Sequence, residues 1–255
     1  SIVHQARATE TVQLYGTLLV RFDRQPILPY EFTLRAQSLR ATIENAASEK
    51  ADAELAALRQ ALDRLEKRSE ALNLLLAPED QTRLGQAQGA INDRLRQAAG
   101  YLIAHLNYLD AAAPEDALPL HVFYDRDLRA LDAALSHLAA GDVQQAAAAL
   151  TDRETGLRGA WCAREMSYPV YHRHAIGGRN PGRRDLFWGE DRTATITDVW
   201  AELHTLQDKL ARGVTDFGPE EYALRAKRES VATAYRSAIR QLTHIVEEAA
   251  AMLPL

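Results

Sequence analysis

The chain has 255 residues, 47% hydrophobic and 25% charged, a balance that supports a buried core and is ordinary for a globular protein. A formal net charge of -5 leaves no general attraction to nucleic acid or anionic membrane, and a single cysteine, Cys162, excludes an internal disulfide framework. No apolar run approaches the roughly 18–20 residues that span a bilayer, the opening SIVHQARATE lacks a signal-peptide pattern, and the compartment stays unassigned.

The pattern along the chain is helical. In residues 8–23, Val12, Tyr15, Leu18, Leu19 and Phe22 fall at helical spacing. Gln25-Pro26 stops that helix, because a residue before proline is pushed out of the α region. A short apolar connector, QPILPYEF, leads into a second helix whose buried stripe is Phe32, Leu39 and Ile43. Residues 50–76 carry Leu55, Leu58, Leu62, Leu65, Leu72 and Leu76 in a three-four alternation interrupted at Ser69. That is an amphipathic helix with a leucine seam, either core or an oligomer surface. After APED, the positions Leu84, Ala87, Ile91, Leu95, Ala98, Leu102 and Leu109 mark a long helix, antiparallel to the last if the link is short.

Pro114 and Pro119 make residues 111–122 the candidate sub-boundary within a single helical domain, 1–255. A helix at 125–140 is expected to end at Gly141, and Asp142 to cap the next. Residues 154–174 read as helical, with Trp161 and Met166 toward the core and Pro169 a kink or end. A helix at about 196–211 follows the Gly-rich stretch, and a long one closes the chain, with Pro219, Glu220 and Glu221 in its first turn. LPLHVFY (118–124) is the best of few strand candidates, and no βαβ alternation exists. The expected fold is all-α, an antiparallel helical bundle with a long Gly/Arg-rich loop in its second half.

That loop holds most of the unusual chemistry, as YHRHAIGGRNPGRRDLFWGED (171–191). His172 and His174 are the only close histidine pair; on a helix they point about 200° apart, so they share a metal only in extended backbone. The plainer reading is a helix end whose carbonyls are met by His and Arg. Arg173, Arg179, Arg183 and Arg184 offer an anion site, yet Asp185, Glu190 and Asp191 follow at once and favour local ion pairs. The loop lacks the spacing of a phosphate cradle and the strand that should precede one. Trp188 and its neighbours read as anchors pinning the loop down. His204 with Asp208 and His244 with Glu248 share helix faces, a common arrangement on solvated surfaces. No serine sits in a G-x-S-x-G elbow, no histidine starts an HExxH motif, and Cys162 reads as an inert thiol.

Two stretches carry a resemblance. RFDRQPILPYEFTLRAQSLRATI (21–43), with its turn Leu28-Pro29-Tyr30-Glu31-Phe32, resembles the start of the transferrin-receptor-like dimerisation region. At this turn the prolines are expected to fix the chain direction while Tyr30 and Phe32 bury the corner. LFWGEDRTATITDVWAEL (186–203) is similar to a Trp-Gly-x-x-Arg segment in the C-terminal parts of bacterial zinc aminopeptidases of the glutamate carboxypeptidase and transferrin receptor type.

The resemblance implies a helical, non-catalytic dimerisation or packing region that starts just after a separate catalytic domain. Its partners would be a second copy of the chain and that catalytic domain. Leu28, Pro29, Tyr30, Phe32, Leu55, Leu58, Leu62, Leu65 and Trp188 would be interface or structural residues. In the family two zinc ions sit in the α/β domain, held by a His-x-Asp, an aspartate, a Glu-Glu pair and a late histidine. No His-x-Asp occurs here; His4 stands near the place of the late histidine, but the surrounding HQARAT matches only that residue. Zinc would therefore belong to the parent, which is a zinc-dependent peptidase or a relative that has lost its metal.

Two rival readings remain. One is a self-contained helical enzyme or anion- or metal-binding protein using His172, His174 and the arginines of the loop. The other is a helical adaptor whose leucine seam receives a partner helix.

Overall fold

The computed structural model describes residues 11–17, 20, 27–28, 30–46, 52–75, 87–106, 119–172 and 197–254. The fold is all-α, with no strand among the described residues. Beyond a helical stretch at 11–17, the helices are α1 (Phe32–Ala46), α2 (Asp52–Leu75), α3 (Ala87–Leu106), α4 (Pro119–Ala139), α5 (Val143–Thr151), α6 (Ala160–Ala163), α7 (Tyr168–Tyr171), α8 (Trp200–Ala211) and α9 (Gly218–Met252).

Helical spacing sets which faces are buried. Phe32, Leu39 and Ile43 of α1 are 3%, 1% and 1% exposed, as their spacing predicts. Leu55, Leu58, Leu62, Leu65 and Leu72 of α2 are all at 1% or less, so the seam is buried within this chain. At roughly 1.5–3 kcal/mol per fully buried leucine, that seam is a major source of cohesion. Val12 and Tyr15, by contrast, are exposed.

The chain divides into two compact units, the first comprising 1–41, 57–110 and 242–255 and the second 42–56 and 111–241. In the first, the Leu28–Phe32 corner is tied down by side chains. The Leu28 amide donates to Asn92 Oδ1 at 2.9 Å, and the Thr33 amide donates to Glu31 Oε1 at 3.0 Å. Phe32 is buried, but Tyr30 is 38% exposed, so only one of the two aromatics expected at this corner is covered. Arg40 pairs with Asp63 and with Glu66 (3.1 Å), Arg64 pairs with Glu247, and Arg68 donates to the Ala250 carbonyl at 2.7 Å.

In the second unit α4 packs against α5, which also meets α6 and α8. Gly141 closes α4 at φ +76°, a left-handed conformation that suits glycine, and the Asp142 side chain caps α5 by accepting from the Gln145 amide at 3.0 Å. Helix α4 starts at Pro119, before the expected 125, so residues 119–124 of the strand candidate are helical. Proline at a first helical position forfeits only an amide that the helix leaves unbonded anyway.

The single helix expected over 154–174 is replaced, in its described part up to 172, by a turn and two four-residue helices. Gly159 at φ +73° breaks the first approach, and an extended Ser167 with Pro169 in the following turn starts α7 rather than ending a helix. Helix α6 buries Ala160 and Ala163, which leaves Trp161 41% exposed beneath the Arg153 guanidinium, 4.7 Å from its ring centroid. Met166 is half-buried, short of its expected place in the core.

Two acid groups shape the turn between α5 and α6. Asp152 Oδ1 accepts from the amides of Glu154 (2.9 Å) and Thr155 (2.7 Å) and from the Thr155 hydroxyl (2.8 Å), which holds its carboxyl below the usual carboxylate range. Arg126 reaches from α4 to the carbonyls of Gly156 and Arg153 at 2.7 and 2.8 Å. Asp127, 1% exposed, faces Arg158 at 3.4 Å. Its carboxyl is nevertheless pushed up, because desolvation outweighs the nearby guanidinium.

Candidate functional site

Residues 168–172 and 197–204 bring the flanks of the Gly/Arg-rich segment together. Tyr168 and Trp200 meet edge to face, ring centroids 5.3 Å apart, which is a favoured aromatic geometry. The Tyr168 hydroxyl lies 3.5 Å from Asp198 Oδ2, and Asp198 Oδ1 accepts from the Trp200 amide at 3.0 Å. Lys227 of α9 holds this neck from behind, donating to the Asp198 carbonyl and to Glu202 Oε2 (2.8 Å).

The aromatic rings continue on both sides. His172 packs tilted against Tyr168, ring centroids 5.5 Å apart, and His204 lies tilted over Trp200 at 4.0 Å. Trp200 Nε1 donates to the Met166 carbonyl, and His204 Nε2 lies 2.9 Å from the Ala163 carbonyl. A carbonyl only accepts, so Nε2 carries the His204 proton. Beneath the rings Tyr171 is fully buried. Burial first, and then the charge of Asp198, raise its hydroxyl far above the ordinary tyrosine range, so it stays neutral.

This constellation suits anchoring. The described residues on either side, 168–172 and 198–204, are held to each other by ring contacts and hydrogen bonds. Cys162 is half-buried, and burial pushes its thiol up, which disfavours the thiolate a nucleophile needs. No three His, Cys, Asp or Glu side chains lie together as a metal site among the described residues.

The other residues singled out from sequence separate clearly. His172 is exposed and engaged with Tyr168, while His174, Arg173, Arg179, Arg183, Arg184, Trp188, His4 and Pro29 lie outside the described residues. Asp208 is paired with Arg212 rather than joined to His204. His244 and Glu248 are exposed on α9. Sequence reasoning passed over Tyr168, Asp198 and Trp200. Aromatic residues on both flanks of a long glycine-rich stretch were the available signal.

A groove of about 460 Å³ between α4 and α9 is lined by Asp132, Leu135, Ser136, Arg225, Arg228 and Glu229 among others. Arg228 already donates to Asp132 at 3.0 Å, and Arg225 is paired with Glu221, so the groove's cations are engaged within the chain. No described helix is long and apolar enough to cross a membrane.

Compared with known proteins, the chain matches no family model, no curated protein and no solved structure.

Proposed function

We propose that this chain is a non-catalytic helical dimerisation or packing region of a metallopeptidase-like protein. The observation that carries the reading is the built corner at Leu28–Phe32. Phe32 is buried, the Leu28 amide is bound by Asn92 of α3, and Glu31 accepts from Asn73 of α2 at 3.3 Å while capping Thr33. These contacts support reading the residues around the turn as a structural joint, in keeping with the helix-turn-helix arrangement that the resemblance implies.

On this reading the zinc and the peptidase chemistry belong to a separate catalytic domain of the parent. The chain's own task is to bury an isologous surface against a second copy, as two-fold homodimers do.

The test is the solution mass by light scattering on a sizing column across a wide dilution range. A species of twice the 28.3 kDa chain mass is expected at the concentrated end. A monomer at every concentration overturns dimerisation as the intrinsic role.

A further inference from the structure

We propose that two copies of this chain meet through the solvent face of α3, antiparallel about a two-fold axis; the proposal rests on the dimeric reading above. The face consists of Gly89, Asp93, Arg96 and Gly100, all exposed. Their spacing of four, three and four residues places them in one stripe along the helix. Leu95, Ala98 and Leu102 bury the opposite side against the protein. A Cβ added at Gly89 or at Gly100 would meet nothing within 4 Å, so the stripe stands open.

The order of residues in the stripe is self-complementary. Turned end over end about a point between Arg94 and Leu95, the helix sets Asp93 of one copy against Arg96 of the other, and the reverse. Gly89 then faces Gly100 of the other copy at both ends of the contact. Two helices commonly pack with axes about 8–10 Å apart, depending on the side chains between them, and glycines at both ends favour the close limit.

Within one chain Arg96 and Asp93 already lie 2.7 Å apart with side chains 58% and 68% exposed. In the pair, the four charges form a closed ring of alternating sign. A parallel arrangement would set Asp93 against Asp93 and Arg96 against Arg96, so the pattern selects the antiparallel one. Ile103, 58% exposed a turn beyond Gly100, adds an apolar edge. A foreign helix would need no such symmetry, which is why a second copy is the occupant.

One helix face buries area at the low end of specific interfaces, below about 1,200 Å² in total, so a dissociation constant of roughly micromolar order is expected. The experiment compares dilution-resolved light scattering of the full chain with Asp93→Arg, Arg96→Asp, the double exchange D93R/R96D, and Gly100→Leu. Each single exchange places like charges across the axis twice and should weaken the dimer at least about tenfold. The double exchange rebuilds the ring with reversed polarity and should recover to within about threefold. Gly100→Leu should lose the dimer while the melting temperature holds or rises, since leucine favours an exposed helix far more than glycine does.

A wild-type dimer indifferent to the single exchanges overturns this face and leaves the dimeric reading standing. Loss in the single variants without recovery in the double overturns the antiparallel pairing. A wild-type monomer throughout overturns both.

Discussion

The hydroxyl of Thr33 on α1 donates to the hydroxyl of Ser69 on α2 at 2.9 Å, and Ser69 is fully buried. The serine thus stands where a polar partner from the neighbouring helix meets the leucine seam. Ser69→Leu, which perfects the sequence pattern, should destabilise the protein by about 1–3 kcal/mol through overpacking and the lost bond. Ser69→Ala should cost about 1 kcal/mol. Chemical denaturation of both variants checks the order, and a leucine variant more stable than wild type would refute it.

Gly156 and Gly141 should respond to alanine for different reasons. A Cβ at Gly156 would stand 2.5 Å from the Asp152 carbonyl oxygen and 2.8 Å from that of Leu150, both backbone atoms that cannot swing away. At Gly141 the space is open and only the left-handed φ of +76° is strained. We predict a loss of about 2–3 kcal/mol for Gly156→Ala against about 1–2 for Gly141→Ala, by thermal unfolding.

Asp127 and Asp152 should give pH dependences of opposite sign. The folded carboxyl of Asp127 is raised, so it holds its proton to higher pH than the unfolded chain does. Its contribution is therefore greatest in acid and falls as pH rises from the ordinary carboxylate value through the raised one. The carboxyl of Asp152 is lowered, so its contribution is present above the ordinary value and lost as pH falls through the folded one. In urea titrations across acid to neutral pH, the penalty of Asp152→Asn should vanish toward acid. The penalty of Asp127→Asn should shrink toward neutral pH.

Leu62 is completely buried. Leu62→Ala should cost about 2–5 kcal/mol in stability by cavity formation, with the solution mass unchanged from wild type under conditions where it remains folded. A solution mass that differs from wild type at full folding would instead return the seam to the surface.

Burial raises the Cys162 thiol, so less thiolate is present near neutral pH than in a free cysteine. Alkylation by iodoacetamide in the native protein should run several-fold slower than in the urea-unfolded chain. Equal rates would contradict the burial seen here.

Much of this architecture is legible one helix at a time. The stripe of Phe32, Leu39 and Ile43, the seam from Leu55 to Leu72, the Gly141 stop and the Asp142 cap are properties of residues within a turn or two of each other. Helical periodicity and capping are local physics, and the sequence by itself determined them.

The tertiary structure decided what depends on residues distant in the chain. Trp161 stays exposed because α6 spends its buried face on two alanines. Tyr168 and Trp200 meet across a separation no periodicity reports, and Asp127 faces Arg158 only because α4 passes the turn after α5. Helical spacing says which side of a helix is apolar. Which partner that side meets, and which charges are drawn out of water with it, is set by how the helices pack.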